Sequence, residues 1–295
     1  MILEAGDHRY EFVEGWGELP DNEVWGQVGG VAIDSRDRVH VFTRNEHPYM
    51  VFDSSGKLLD TWGRGIFEQA HGICVLPDDS VILVDRMGQV ALKYSPEGKH
   101  LLGLGNRGIK SDTGYTDENP IVDHPGPPFH YPTDASFSPN GDFYVSDGYG
   151  NCRIHKFDAK GELLFSWGEP GEGPGQFKLV HSVWEHKERV YVADRMNHRI
   201  QVFTPDGKYL TEWPGFRQPC KIFIDKDDIV YVAELEARVS ILGLDGQLLG
   251  RWGGQRDSTP GQFVGPHGIW TDSRGDIYVA EVIQGARLQK FARIS

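Results

Sequence analysis

The last unit of the chain shows the pattern that decides the fold. It reads Pro266-His267-Gly268-Ile269-Trp270-Thr271-Asp272, then Gly275-Asp276-Ile277-Tyr278-Val279-Ala280-Glu281, and then Leu288-Gln289-Lys290-Phe291. Turn-forming residues such as Asp272 and Gly275 separate these short, largely apolar runs. Runs of this length with turns between them predict three short β-strands, each paired with its neighbour in sequence.

The same order of events occurs six times along the chain. The units begin 39 to 62 residues apart, at Gly29, His71, Thr133, His181, Cys220 and His267. A fourth run usually follows, as in Gly56–Gly63. Four short strands per unit at a period of roughly 40–45 residues are typical of a β-propeller blade. A string of small sandwich domains is excluded, because no single unit could bury its own core. The sequence therefore predicts an all-β, six-bladed β-propeller.

The two ends of the chain are predicted to meet in the last blade. The sixth unit ends near Phe291 with only three strands, whereas the run Tyr10–Gly17 resembles the fourth strand of the fifth unit, Leu248–Gly253. We therefore expect the N-terminal strand to close the ring, which removes an exposed sheet edge. Residues 1–295 would form a single domain, with a long insertion at about 105–131 that could lie over one mouth of the ring.

Composition limits the classes of partner. The chain has 37 glycines, which favour turns over helices, and its net charge of −13 repels polyanions such as nucleic acids. No apolar run approaches the ~18 residues of a membrane span, and the N-terminus lacks the features of a signal peptide. Three cysteines, Cys74, Cys152 and Cys220, suit a reducing compartment. We expect a cytoplasmic protein that binds a small molecule but neither nucleic acid nor membranes; its oligomeric state is left open.

Histidine occupies the first inner-strand position of every second unit, at His71, His181 and His267. Alternate blades of a six-bladed ring lie about 120° apart, so these three imidazoles would converge at one mouth of the channel. Three histidines with open coordination positions can form a catalytic metal site, and imidazole suits zinc, iron, copper or nickel. The alternative is three ordinary polar residues in a watery channel, but recurrence on alternate blades favours the metal site.

A second set of residues follows the second strands and would lie at the same mouth: Arg44, Arg86, Tyr149 and Arg195. The guanidinium fork matches a carboxylate, and a tyrosine beside a metal could act as an acid or base. The alternative pairs each arginine with the acidic residue beside it as a brace within the blade. For Arg86 the two interpretations carry equal weight, whereas for Arg44 and Arg195 we favour a functional role.

Several stretches resemble known families. The run Arg189–Phe203 is similar to an NHL repeat, and nearly the whole chain resembles the peptidyl-α-hydroxyglycine α-amidating lyase family, whose fold is a six-bladed NHL-type propeller. The most specific stretches are Phe42–His47, Tyr131–Asp134, Ser146–Ile154, Pro174–Ser182 and Pro266–His267.

The resemblance implies an activity and a set of site residues. That family cleaves a carbinolamine to an amide and glyoxylate at a zinc ion held by three histidines. It implies a divalent metal, preferably zinc, at His71, His181 and His267. It also implies catalytic roles for Tyr149 and Arg44 and a substrate-binding role for Arg195, to which we add Arg86 and His47.

The chain departs from that family at several positions. Where the family has paired cysteines, this chain has Gly150, Tyr191 and Val202. The resemblance also implies a structural calcium at the backbone of Val31 and Ile73, but Gly268 replaces its aspartate. A methionine expected two residues before the third histidine is Gly265.

Three functions follow from these observations. The leading one is a metal-dependent lyase that cleaves the C–N bond of a small α-hydroxyglycine-type substrate. A metal-dependent hydrolase or hydratase would use the same site with a metal-bound hydroxide. A non-catalytic NHL propeller would bind proteins on its face, but it has no need of histidine on alternate blades.

Overall fold

The computed structural model describes residues 2–17, 19–21, 23–283 and 287–294, and in it each repeat unit forms one antiparallel sheet. Two strands precede the first blade, β1 (Ile2–Ala5) and β2 (His8–Val13). Blade one has β3 (Val28–Ile33), β4 (Val39–Thr43), β5 (Tyr49–Phe52) and β6 (Leu58–Trp62). Blade two has β7 (Ala70–Val75), β8 (Val81–Asp85), β9 (Val90–Tyr94) and β10 (His100–Gly105). Blade three has β11 (Pro132–Phe137), β12 (Phe143–Asp147), β13 (Arg153–Phe157) and β14 (Leu163–Trp167).

The second half of the ring repeats this order. A short parallel pair comes first, β15 (Glu169–Pro170) and β16 (Gln176–Phe177). Blade four has β17 (Val180–His186), β18 (Arg189–Asp194), a 3-10 turn (Arg195–Asn197), β19 (Arg199–Phe203) and β20 (Tyr209–Pro214). Blade five has β21 (Pro219–Ile224), β22 (Ile229–Glu234), β23 (Arg238–Gly243) and β24 (Leu248–Gly253). Blade six has β25 (Pro266–Thr271), β26 (Ile277–Glu281) and β27 (Leu288–Arg293).

The predicted six-bladed propeller is confirmed, and so is its closure by the N-terminal strand. Strand β2 pairs with β27, with Tyr10 opposite Arg293 and Val13 opposite Lys290. Strand β1, which the sequence did not predict, adds a fifth strand to this sheet. The inner strands of the blades are almost wholly buried, because both faces of each blade pack against neighbouring blades. The outer strands are partly exposed.

Every innermost strand carries a β-bulge at its second residue, which is the repeat position that holds His71, His181 and His267. The pairing of β3 with β4, for example, skips Gly29, and that of β17 with β18 skips His181. The other inner strands have the same irregularity, at His71, Thr133, Cys220 and His267. A bulge leaves its residue outside the ladder and re-aims it, so six bulges direct six residues toward the channel.

The segment 106–131 between β10 and β11 contains no strand, yet hydrogen bonds hold it against blade three. The hydroxyl of Thr113 donates to the carbonyl oxygen of Gly150 at 2.6 Å. The backbone N–H of His130 donates to the carboxylate of Asp147 at 2.8 Å. These contacts place the insertion beside Tyr149, at the mouth where β12 ends.

Candidate metal centre

The three histidines predicted from the repeat meet on the channel axis. The ring centroids of His71, His181 and His267 lie 4.7 to 4.9 Å apart. One potential ligand nitrogen from each lies within 4.8 Å of the other two, and all three side chains are buried. Three converging imidazole nitrogens fit the donor set of a catalytic metal site, so this trio could hold a metal ion.

The other three blades fix the orientation of these imidazoles. His71 donates from Nδ1 to the carbonyl oxygen of Thr133 at 2.6 Å, and His181 donates to that of Cys220 at 2.8 Å. His267 donates to that of Gly29 at 2.6 Å. Each carbonyl therefore comes from the bulge of the next blade, and a carbonyl partner fixes the proton on Nδ1. Every Nε2 is left with a lone pair that can bind a metal ion.

Electrostatics keep the trio neutral. Burial is the main cause that lowers the pKa of each imidazole, well below its usual range for His71 and His181 and to about 3 for His267. Neighbouring arginines lower the pKa of all three imidazoles, and neighbouring imidazoles also lower those of His71 and His181. A neutral imidazole is the form that binds metals, so the site is prepared for a cation at neutral pH.

The structure places Tyr149 directly over the trio. Its hydroxyl oxygen lies 3.3 Å from Nε2 of His71 and 3.2 Å from Nε2 of His181. Gly148 makes this position accessible, because a Cβ there would overlap the carbonyl oxygen of Val180 just before His181. Only glycine lets the end of β12 approach blade four so closely.

Arg86 and Arg195 flank the Tyr149 ring. The guanidinium carbon of Arg86 lies 4.1 Å from the ring centroid and that of Arg195 lies 5.1 Å from it. Arg195 also donates to the Tyr149 hydroxyl at 3.2 Å. The Nε atoms of both arginines are buried and have no hydrogen-bond partner among the described residues. Such buried unpaired donors are costly, which points to an anionic ligand at this mouth.

The structure does not pair these arginines with the acidic residues beside them in sequence. Within the described residues, no ion pair is formed by Arg44, Arg86 or Arg195. The acidic residues at the ends of the second strands pair instead with arginines the sequence did not single out: Asp85 with Arg107, Asp194 with Arg199, Glu234 with Arg238 and Glu281 with Arg287. The site arginines therefore keep their charge available to a ligand.

Arg44 and His47 lie in blade one but differ in their surroundings. Arg44 donates from Nε to the carbonyl oxygen of Ala70 at 3.0 Å and from Nη1 to Gln27 at 2.7 Å, and its charge acts on the histidine trio. His47 contacts Glu23 at 2.8 Å, and among the described residues it makes no hydrogen bond or ring contact with the trio or Tyr149. Its predicted substrate role stays a prediction, while Gln27 is a site neighbour that the sequence did not suggest.

The channel behind the trio is closed by a second buried pair. The ammonium of Lys221 lies 2.8 and 2.7 Å from the two carboxylate oxygens of Asp134 and 3.4 Å from the carbonyl oxygen of Ile73. The cavity left here has a volume of only about 10 Å³, close to that of one water-sized sphere. A ligand must therefore approach the trio from the arginine mouth.

The structural calcium implied by the family resemblance does not fit this channel. The Lys221 ammonium already lies 3.4 Å from the carbonyl oxygen of Ile73, which is one of the two expected calcium ligands. A calcium ion at that oxygen would be repelled by the ammonium. A Cβ at Gly268 would lie 2.9 Å from Cα of Gly30, so the chain has no room for the missing aspartate. The cation in this channel is therefore the Lys221 ammonium and not a calcium ion.

Comparison with known proteins agrees with this architecture. The family model of the NHL repeat matches residues 129–157, which cover β11 to β13. The chain is 32% identical over 217 residues to peptidylglycine alpha-amidating monooxygenase of Rattus norvegicus and 31% identical over 199 residues to peptidyl-alpha-hydroxyglycine alpha-amidating lyase 1 of Drosophila melanogaster. The chain is therefore a six-bladed propeller that contains a match to the NHL repeat and is similar in sequence to proteins named as amidating lyases. NHL repeat-containing protein 3 of Homo sapiens is also similar, with 33% identity over 218 residues.

These matches cover parts of longer proteins. They span 62% of this chain and 21% of the rat protein, 62% and 34% for the fly protein, and 69% and 59% for the human protein. The solved structure of a gluconolactonase from Xanthomonas campestris superposes with a TM-score of 0.67 at 11% identity, covering 99% of this chain and 92% of that one, which shows a shared fold. Within the described residues, no helix has the length and hydropathy of a membrane-spanning segment.

Proposed function

We propose that this propeller is a metal-dependent lyase that cleaves the C–N bond of an α-hydroxyglycine-type substrate, releasing an amide and glyoxylate. The observation that carries the proposal is the Tyr149 hydroxyl, 3.3 and 3.2 Å from the Nε2 atoms of two converging histidines, in a mouth lined by unpaired arginines. The similarity to proteins named as amidating lyases supports it. Zinc is the metal we propose, because imidazole ligands suit it and it needs no redox partner.

The arginines account for the carboxylate of such a substrate. Arg86 and Arg195 hold buried, unpartnered Nε donors on both sides of Tyr149. A carboxylate at the guanidinium group of Arg195 or of Arg86 would gain charge-assisted hydrogen bonds there. This contact would orient the substrate with its hydroxyl toward the histidine trio and its C–N bond near Tyr149.

Tyr149 supplies the proton transfer. A metal at the trio would polarise the substrate hydroxyl oxygen. The Tyr149 hydroxyl gives its own proton to the departing nitrogen, and its oxygen takes the proton of the substrate hydroxyl in exchange. The electron pair of that O–H bond forms the C=O bond of glyoxylate, the C–N bond breaks with its electrons passing to nitrogen, and the amide leaves neutral with Tyr149 again a neutral hydroxyl. Arg195 and Arg44 stabilise negative charge during this transfer, and no water is consumed.

An assay with α-hydroxyhippurate tests the reaction class. The lyase should release benzamide and glyoxylate in equal amounts, with no oxygen from labelled water in benzamide. A chelator should stop the reaction and added zinc should restore it. Release of benzoate that carries solvent oxygen would instead establish a metal-hydroxide hydrolase. No turnover by metal-loaded protein on this and related hydroxyglycine conjugates would favour a binding propeller.

Replacing Tyr149 with phenylalanine tests the proton-transfer role. We expect turnover to fall by roughly 10²-fold or more, because the reacting hydroxyl loses its acid–base partner. Metal content should not change, since the three imidazoles remain. The control is Tyr144→Phe in the same blade, whose hydroxyl donates to the carbonyl of Pro205 at 3.2 Å and faces away from the trio. Full activity of Tyr149→Phe would show that another group moves the proton.

The domain organisation and the cellular location of the protein are also inferred. We infer a single domain over the whole chain, since every blade packs against its neighbours around one ring. We also infer a cytoplasmic location from the three cysteines, which are buried free thiols. Fractionation of cells that express the untagged full-length protein would test the location.

A further inference from the structure

An apolar cleft adjoins the proposed catalytic tyrosine. Its volume is about 530 Å³, which lies within the range of clefts that bind small organic ligands. Tyr149 forms one wall. The other walls come from the insertion, from the parallel β15–β16 pair and from blade four, and they include Tyr115, Ile121, Pro170, Phe177, Leu179 and Met196.

Exposed apolar residues mark this cleft as a binding surface. The exposed fraction of Ile121 is 58% and that of Met196 is 42%, on opposite walls of the same cleft. Grouped apolar side chains that remain in water usually cover a ligand or partner. The only lysine or arginine in the lining, Lys178, is paired with Glu172, so the cleft offers no free cation for a second carboxylate.

The walls are held in place without a ligand. Within the insertion, the backbone N–H of Asp123 donates to the carbonyl of Thr113 at 2.9 Å, and the Thr113 hydroxyl donates to Gly150 next to Tyr149. On the other side, the backbone N–H of Arg195 donates to the carbonyl of Leu179 at 2.8 Å. One wall is therefore tied to Tyr149 and the other to Arg195.

The position of the cleft beside Tyr149 indicates which part of the substrate it would hold. In the proposed reaction, the arginines take the carboxylate of the substrate and the trio faces its hydroxyl, so the acyl group on nitrogen must extend away from both. The cleft begins at Tyr149, where the C–N bond would break. We propose that the cleft holds this acyl group, and that the enzyme selects α-hydroxyglycines with a long apolar acyl chain or an aromatic acyl group. This inference rests on the proposed function and deepens it.

A homologous series of substrates tests the selection. N-acetyl-, N-butanoyl-, N-hexanoyl- and N-octanoyl-α-hydroxyglycine differ only in the length of the acyl chain. Burial of each added methylene should raise kcat/KM about threefold or more until the cleft is filled. An acyl chain that ends in a carboxylate should lose this gain.

Two substitutions in the insertion provide a matched pair. Ile121→Asp puts a charge in the cleft and should flatten the dependence of kcat/KM on the length of the acyl chain. Ile109→Asp changes a residue of the same insertion that is 66% exposed, against 58% for Ile121, and lies outside the cleft, so it should keep the full dependence on chain length. Both positions face water, so the fold should survive either change.

Binding of the matching N-acylglycines, measured by calorimetry, separates this inference from the proposed reaction. These compounds lack the hydroxyl and need no turnover. Affinity that rises with chain length in wild-type protein and not in Ile121→Asp supports the cleft even if no glyoxylate forms, in which case the proposed function fails. Turnover and affinity that are both independent of chain length would overturn the cleft and leave the lyase intact.

Discussion

Replacing His181 with alanine is expected to remove the bound metal and all detectable glyoxylate release together. The substitution leaves two imidazoles, which are too few for a tight site. It also removes one of the two nitrogens next to the Tyr149 hydroxyl. Elemental analysis of protein purified without a histidine tag should give about one metal ion per wild-type chain and nearly none in the variant.

The control for this substitution is His100→Ala, an exposed histidine on an outer strand. It should keep the metal and the activity. The circular dichroism of His181→Ala should remain that of a β-propeller, because each blade is held by its own sheet and its neighbours. Metal retained at the wild-type ratio in His181→Ala would place the metal site elsewhere in the molecule.

Lys221→Met is expected to destabilise the fold by about 3–5 kcal/mol, because it leaves the buried Asp134 carboxylate without its cation. The side chains of this pair are only 7% and 3% exposed. Urea unfolding of wild type and variant measures the effect. The control is Lys226→Met, whose side chain is 75% exposed and pairs with Asp227 at the surface, and it should change stability by about 0.5 kcal/mol or less.

A double substitution and a calcium titration separate the possible causes. Lys221→Met with Asp134→Asn should recover much of the loss, because no unpaired buried charge remains. Added calcium should leave the Tm of the wild type unchanged, since Lys221 already fills the cation position. A calcium-dependent rise in the wild-type Tm would contradict the assignment of Lys221.

The repeat of six similar units predicted more of the fold than the strand propensity of any single segment. The repeat allowed the same inner-strand position to be compared in all six units. Histidine at this position in every second unit predicted the convergence that the structure shows for His71, His181 and His267. The bulges at these positions could not be predicted, because a bulge is a change of pairing register between two strands and has no residue type of its own.

The partners of the site residues were the least predictable part. Arg86 stands beside Asp85 in sequence, yet Asp85 pairs with Arg107 from the following loop. Which arginine a carboxylate selects depends on three-dimensional placement, which the spacing does not contain. Lys221 and Asp134 carried a usable signal, because each directly follows a first-position residue in its unit. Comparing that next position across the six units would have shown a lysine and an aspartate with glycine at three of the others.

The pairing of the chain ends has a consequence for biosynthesis. The third imidazole, His267, is oriented by Gly29, 238 residues earlier, and β27 must find β2 near the N-terminus. Contacts of such long sequence separation form slowly, because a large loop must close before they stabilise anything. A nascent chain that has made five blades therefore holds only two oriented histidines. The metal site that we propose is complete only after ring closure, so the metal content of a preparation would also measure the fraction of chains that completed the ring.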